Sequence, residues 1–310
     1  MDPIRTVLIV GAGAVGSALG AIIESRLPGS VSVLADASRQ ERYRRSGFVL
    51  NGRRFDFRLV SPEERSEPDL ILVAVKNAQL PAAIAGMGRH VGPGSLVLSL
   101  MNGITSEDEL AAAFGWNTVL YAMILGIDAV REGTTTSYST GGTVHFGEAM
   151  NAKAAWSPRV ERIAEFFGRS GVSYAVPEDM KRSLWYKFMI NVGINQCSAV
   201  LRARYRLFQG SSEARALMEA VMREVIELSA ALGTGLVEAD IAAWYTTLMS
   251  LGPDGMTSML QDIEAGRKTE VESFAGAVVE LGRRAGVSVP LNEALLLIIR
   301  ALESGFRAPA

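Results

Sequence analysis

Along the first half of the chain, short apolar runs alternate with longer mixed stretches. Val7–Val10 is β-branched and stops at a glycine, the pattern of a buried parallel strand. Val31–Leu34, Leu70–Val75, Leu96–Leu100 and Val119–Ile124 repeat it, with turn residues Glu67-Pro68-Asp69 and Gly92-Pro93-Gly94 ahead of the third and fourth runs. The stretches between them, beginning with Ala14–Ser25, have helical composition. Such alternation predicts βαβ units, hence a parallel sheet with helices on both faces. Thr134–Gly147, rich in Thr, Ser and Gly, reads as a hairpin-like edge of the same domain.

From about residue 178 the period changes to that of helices. Lys181–Ala199, Glu213–Leu232, Glu238–Ser250, Thr257–Ala285 and Asn292–Ser304 each read as one helix. Gly286, after Arg283-Arg284-Ala285, is a C-terminal stop, and Pro290 restarts a helix. No internal repeat or low-complexity segment interrupts the pattern. The expected organisation is an α/β domain over 1–178 and an all-helical domain over 179–310.

Composition narrows the function classes. A chain of 310 residues suits two domains, and 48% apolar residues suffice for a packed core in each. The net charge of −2 gives no basic field, so neither nucleic acid nor an anionic membrane is an expected partner. One cysteine, Cys197, excludes an internal disulfide and fits a reducing, cytoplasmic setting. His90 and His145 lie far apart, so no zinc site is expected. Thr6–Ile23 is apolar enough to raise a membrane span, but it carries four glycines and lacks a basic leader.

Those glycines have a better explanation. Gly11-Ala12-Gly13-Ala14-Val15-Gly16 matches G-x-G-x-x-G, directly after a strand and opening a helix. The first glycine makes the turn, the second admits a pyrophosphate, and the third lets helix and strand pack. The helix N-terminus offers free N–H groups and partial positive charge. The α/β domain is thus expected to be a doubly wound, Rossmann-type dinucleotide-binding domain. Asp36 ends the second strand, where a carboxylate bonds the ribose of NAD and repels the 2′-phosphate of NADP. Arg39, Arg42, Arg44 and Arg45 follow, either as phosphate partners or as a solvated helix face. Lys76 and Asn102 follow the third and fourth strands, at the carboxyl ends where open α/β sheets bind ligands.

In the helical half, Leu184–Asn195 is apolar nearly all round, yet Lys187, Asn191 and Asn195 recur every four residues. A polar stripe on an apolar helix points to a polar cleft, since burying those groups unpartnered would cost several kcal/mol each. Ser258 and Asp262 are one turn apart on the next candidate helix, with Glu270 expected near the same broad face.

Together these stretches resemble the ketopantoate reductase (2-dehydropantoate 2-reductase) family. The likeness runs through GAGAVGS at 11–17, VKNAQ at 75–79, NG at 102–103, LWYKFMINVGIN at 184–195, TSMLQDIEAGRKTEVE at 257–272 and GVSVPLNEALL at 286–296. It implies reduction of 2-dehydropantoate to pantoate with NADP(H), on the way to pantothenate and coenzyme A. It implies Lys187 as proton donor, with Glu270 organising that lysine and the cofactor ribose. It implies substrate contacts from Lys187, Asn191, Asn195 and Ser258, and cofactor contacts from Lys76, Asn102 and Ala129. A monomer or homodimer is expected.

The chemistry of the residues agrees. Hydride delivery to a keto carbon builds negative charge on oxygen, which an ammonium can stabilise and then protonate. Asp36 departs from the arginine common in the family at that position, so NAD(H) stands beside NADP(H) as cofactor. Two other readings share these motifs: an NAD-dependent D-2-hydroxyacid dehydrogenase acting on another branched or aromatic 2-keto acid, and a non-catalytic dinucleotide sensor. A sensor would have no use for a proton donor such as Lys187.

Overall fold

The apolar four-residue runs become strands because both their faces are covered. In the computed structural model, which describes residues 2–306, β1 (Val7–Val10) is buried at every position. The chain continues through α1 (Ala14–Arg26), β2 (Val31–Leu34), α2 (Ala37–Ser46), β3 (Phe48–Leu50), β4 (Arg53–Phe55), β5 (Arg58–Val60) and β6 (Leu70–Val73). Then follow α3 (Leu80–Met87), β7 (Leu96–Ser99), α4 (Ser106–Phe114), β8 (Val119–Ile127), β9 (Val130–Glu132), β10 (Thr135–Ser137), β11 (Gly141–Gly147), α5 (Pro158–Ser170) and β12 (Tyr174–Ala175).

The main sheet has the order β12-β11-β8-β7-β6-β1-β2-β5. From β5 to β8 every pairing is parallel, and β11 adds antiparallel to β8. This is the doubly wound Rossmann-type arrangement. Its order reverses between β1 and β6, and the carboxyl ends of strands at such a switch point are where open α/β sheets bind ligands. The two faces carry separate cores: Leu19, Ile23, Phe48, Phe57 and Phe167 belong to one, Leu80, Met87 and Leu110 to the other.

The expected edge hairpin at Thr134–Gly147 is divided. β10 joins a separate four-stranded sheet of order β4-β3-β10-β9, whereas β11 enters the main sheet. Gly133 (φ 60°) makes the turn between β9 and β10, and Gly142 (φ 70°) lies near the start of β11. The small sheet escapes a periodicity reading because three-residue strands are too short to show alternation.

The described chain divides into two compact units, residues 2–102 with 106–181, and residues 103–105 with 182–306. The second is all-helical: α6 (Met180–Ile190), a π-helical turn (Asn191–Asn195), α7 (Gln196–Leu201), α8 (Tyr205–Gly210), α9 (Ser212–Leu232), α10 (Ala239–Ser250), α11 (Ser258–Glu264), a 3-10 turn (Val271–Ser273), α12 (Ala275–Ala285) and α13 (Pro290–Ser304). Its core includes Phe188, Val192, Phe208, Val225, Phe274 and Ile299.

Two expectations are corrected here. Thr257–Ala285 is not one helix: α11 ends at Glu264, Gly266 turns left-handed at φ 61°, and the exposed run Glu264–Lys268 separates it from the 3-10 turn. Glycine in that conformation stops a helix. Glu270 therefore does not share a helix face with Ser258 and Asp262. Lys181–Ala199 is likewise not one regular helix, because a π turn interrupts it at Asn191–Asn195.

Candidate active site

The glycine loop is built as its spacing requires. Gly11 has φ 99°, and a Cβ there would lie 2.7 Å from the backbone carbon of Ala74. The loop leaving β1 thus presses against the chain leaving β6, at the switch point of the sheet. A Cβ on Gly16 would strike the Gly11 carbonyl and come within 2.9 Å of Ile9, so only glycine lets α1 sit this close to β1. Gly13 caps α1 without a side-chain hydrogen bond, which leaves the first-turn amides to a ligand. A strand–loop–helix turn that only glycine permits at Gly11 and Gly16, with no side chain capping the first-turn amides, fits the pyrophosphate of a dinucleotide.

Asp36 is the N-cap of α2. Its exposed carboxylate accepts from Ser38 Oγ at 2.7 Å and from the Arg39 amide at 2.8 Å. Those bonds, the Arg39 amide first, hold its pKa below the ordinary carboxylate value. Of the arginines that follow, Arg39 lies 3.6 Å from Asp36, Arg44 bonds Gln40, Arg45 pairs with Glu41, and Arg42 lies over Tyr43. Arg44 and Arg45 thus belong to a solvated helix face. Lys76 is exposed and precedes a 3-10 turn at Asn77–Gln79, and Asn102 is half-buried after β7. Ala129 lies in the turn between β8 and β9.

In the second unit, Lys187 is in the last turn of α6, half-buried, and the π turn begins four residues later. The π turn is held in a buried hydrogen-bond network. Buried Gln196 donates through Nε2 to the Val192 carbonyl at 2.8 Å and to Asn292 Oδ1 at 3.2 Å, and its Oε1 accepts from the Ala275 amide at 3.1 Å. Asn292 in turn donates to Glu224, which also accepts the Leu291 and Asn292 amides at the start of α13. One buried network therefore fixes the π turn against α9, α12 and α13. Such turns concentrate at functional sites because they re-aim side chains.

Asn195 is 7% exposed and Asn191 half-buried. Among the described residues, neither side-chain amide makes a hydrogen bond, although the Asn195 carbonyl accepts from Ser198 Oγ at 3.0 Å. Such amides can bond a polar ligand. Ser258 is exposed at the first turn of α11, whose cap is Thr257. Asp262 is committed to Arg267 at 2.8 Å. Glu270 is half-buried at the head of the 3-10 turn.

Two features escaped the sequence. Arg131, on β9, donates to the Ala12 carbonyl of the glycine loop across 119 positions of chain, so no spacing rule could find it. Beneath the loop that follows β7, Ser99, Ser106 and Glu107 form a buried hydrogen-bonded chain. Burial pushes the Glu107 carboxyl up to about 7, against bonds from its own amide, the Ser106 hydroxyl and the Ala122 backbone. Among the described residues no three His, Cys, Asp or Glu side chains converge as metal ligands, and no helix is long and apolar enough to cross a membrane.

Comparison with known proteins adds independent findings. Residues 7–151 match the family model described as "Ketopantoate reductase PanE/ApbA", and residues 179–303 match "Ketopantoate reductase PanE/ApbA C terminal". The 2-dehydropantoate 2-reductase of Archaeoglobus fulgidus is 27% identical, across 97% of this chain and 99% of its own length. The solved 2-dehydropantoate 2-reductase of Geobacter metallireducens is 25% identical, with a TM-score of 0.83 over 96% of this chain and 99% of that one. A D-mandelate dehydrogenase solved with NADH and anilino(oxo)acetate is 20% identical and shares the fold, with a TM-score of 0.88 over 98% of this chain and 100% of that one.

Proposed function

The chain belongs to the ketopantoate reductase family of NAD(P)-dependent oxidoreductases, and from that premise we propose that it reduces 2-dehydropantoate to pantoate. The observation that carries this reading is the polar turn Lys187–Asn195, an ammonium and two hydrogen-bond-ready amides set by a buried network in an otherwise apolar helix.

The glycine loop and the N-terminus of α1 would hold the pyrophosphate, and Asp36 the adenosine ribose. The dihydronicotinamide, when bound, supplies a hydride. Lys187 Nζ holds a proton for the ketone oxygen, first stabilising the charge that develops there and then neutralising it. Asn191, Asn195 and Ser258 orient the keto acid through its polar groups. Orientation matters because two reactants held in register escape most of the entropic cost of meeting. Glu270 is assigned to positioning Lys187 and the cofactor ribose.

A second reading has its own support. Asp36, ionised and facing solvent, favours NADH over NADPH, and an NAD-dependent D-2-hydroxyacid dehydrogenase acting on another branched or aromatic 2-keto acid would use the same residues.

A steady-state panel separates the two. It sets 2-dehydropantoate against 2-ketoisovalerate, 2-ketoisocaproate and phenylglyoxylate, each with NADH and NADPH. The first reading expects the highest kcat/KM on 2-dehydropantoate. A higher kcat/KM on one of the others selects the second reading, and turnover of none rejects both.

A further inference from the structure

The second, four-stranded sheet plays no part in the reading so far. Its edge strand β9 nevertheless sends one side chain into the cofactor site. Arg131 Nη1 donates to the Ala12 carbonyl inside the glycine loop and, at 2.8 Å, to Ser17 Oγ in the first turns of α1. Ser17 Oγ itself donates to the same Ala12 carbonyl at 3.1 Å, so carbonyl, hydroxyl and guanidinium close a small ring of bonds. The other edge of the guanidinium is fixed as well, since Nε donates to the Gly133 carbonyl at 2.9 Å. Its carbon lies 5.8 Å from the Tyr43 ring centre and 5.7 Å from that of Phe48.

This placement is costly for a cation. Among the described residues no carboxylate pairs with Arg131. Arg42 lies 5.1 Å from the same Tyr43 ring and adds like charge. The guanidinium also sits by the N-terminus of α1, the positive end of that helix, where cations are disfavoured. Burial accordingly draws its pKa below the ordinary arginine value, helped by Arg42 and opposed by Tyr43. A neutral donor would tie β9 to the loop without these penalties. A charge held there by three protein oxygens and two rings makes physical sense if an anion arrives to complete it.

We propose that Arg131 is a cofactor-positioning residue that clamps the glycine loop in its binding shape and supplies positive charge for the phosphates of the dinucleotide. It acts through Ala12 and Ser17 on the loop's amides, and through space on the bound phosphates. The small sheet then has a role: Arg131 couples its β9 edge to the glycine loop. The proposal rests on the dinucleotide reading of that loop.

The test is titration of the full-length protein with NADH and with ADP-ribose, which carries the pyrophosphate but no nicotinamide. In Arg131→Gln, Kd for both should rise by the same factor, about 10- to 100-fold, as expected for a lost charge-assisted contact. kcat at saturating NADH should stay within about threefold, because the chemical step is untouched. Arg131→Lys keeps the charge but not the fork, and its Kd should fall between the two. It also serves as the test variant if Arg131→Gln does not fold. An unchanged Kd overturns the proposal. So does a Kd loss matched by an equal fall in kcat and a large drop in Tm, which marks a purely structural tie. If the wild-type protein binds neither ligand, the dinucleotide reading itself has failed, and the Arg131 proposal falls with it.

Discussion

At the end of β2, Asp36 is kept ionised by the Arg39 amide and the Ser38 hydroxyl, so its charge is fixed at neutral pH. A fixed negative charge beside the ribose selects against a 2′-phosphate. Asp36→Arg should therefore shift the NADPH/NADH ratio of kcat/KM upward by at least about tenfold, the scale of one charge-assisted contact. An unchanged ratio would assign the preference to Arg39 or Arg42 instead. Glu107 behaves differently because it is fully buried, with a folded pKa raised to about 7. A raised carboxyl pKa means the folded state binds the proton more tightly than the unfolded chain does. Its stabilising contribution is then complete below the unfolded value near 4.3 and is lost as pH rises through about 7. Glu107→Gln should flatten the dependence of Tm on pH between about 5 and 8, most visibly by raising Tm at the alkaline end. A wild-type slope in that variant would show that Glu107 is not the group responsible.

Elements differ in how plainly the chain announces them. β1, β6 and β7 were legible because they are short apolar runs buried at every position, and β2 because its buried Val31 and Val33 alternate with half-buried residues. β3, β4, β9 and β10 were not, since each is three residues long, and the two local hairpins they form are joined into one sheet only by the β3–β10 pairing, whose strands are remote in sequence. The helix at Lys181–Ala199 was visible as a helix, but not its π turn. The residue that closes that turn, Gln196, bonds Asn292 and Ala275, partners 96 and 79 positions away. The glycine turn could be read from spacing alone, whereas the every-fourth-residue stripe of Lys187, Asn191 and Asn195 assumed a regular α-helix that the π turn at Asn191–Asn195 interrupts. Glu270 could not be placed by helical geometry, because Gly266 ends α11 first. Gln196→Leu tests the network that holds the π turn. It leaves the Val192 carbonyl and the Ala275 amide without their partner, which should cost about 1–3 kcal/mol by denaturant melt. If the turn also sets Asn191 and Asn195, KM for the keto acid should rise while the Kd for NADH stays put.

At the scale of the molecule, the first unit places its proposed ligand residues and a buried ion pair at opposite ends of the sheet. Its glycine loop, Asp36, Lys76 and Asn102 follow the carboxyl ends of the strands, whereas the amino ends are joined by Asp69 and Arg162. Arg162 is nearly buried and bonds Asp69 at 2.8 Å and the carbonyls of Asp2 and Gly94. Asp69 also accepts from Arg5 and Thr6, so it links the chain entering β1 to that entering β6. Burial opposes its charge, but those bonds and Arg162 win, and its pKa is lowered. The pair's support is accordingly present above about pH 4 and lost as pH falls below it. Asp69→Asn should cost about 2–3 kcal/mol at neutral pH by leaving a buried guanidinium underpaired. Cofactor Kd should not change, and a change would mean that the two ends of the sheet are not independent. The proposal gives the proton chemistry to Lys187 in the second unit, and Lys187→Ala, assayed together for NADH affinity and for turnover of the best keto acid, tests that central claim. The expected result is an unchanged Kd for NADH and a kcat lower by about 10²–10⁴-fold, the size of a lost general acid. Near-normal turnover with intact NADH binding would contradict the assignment of Lys187 as proton donor.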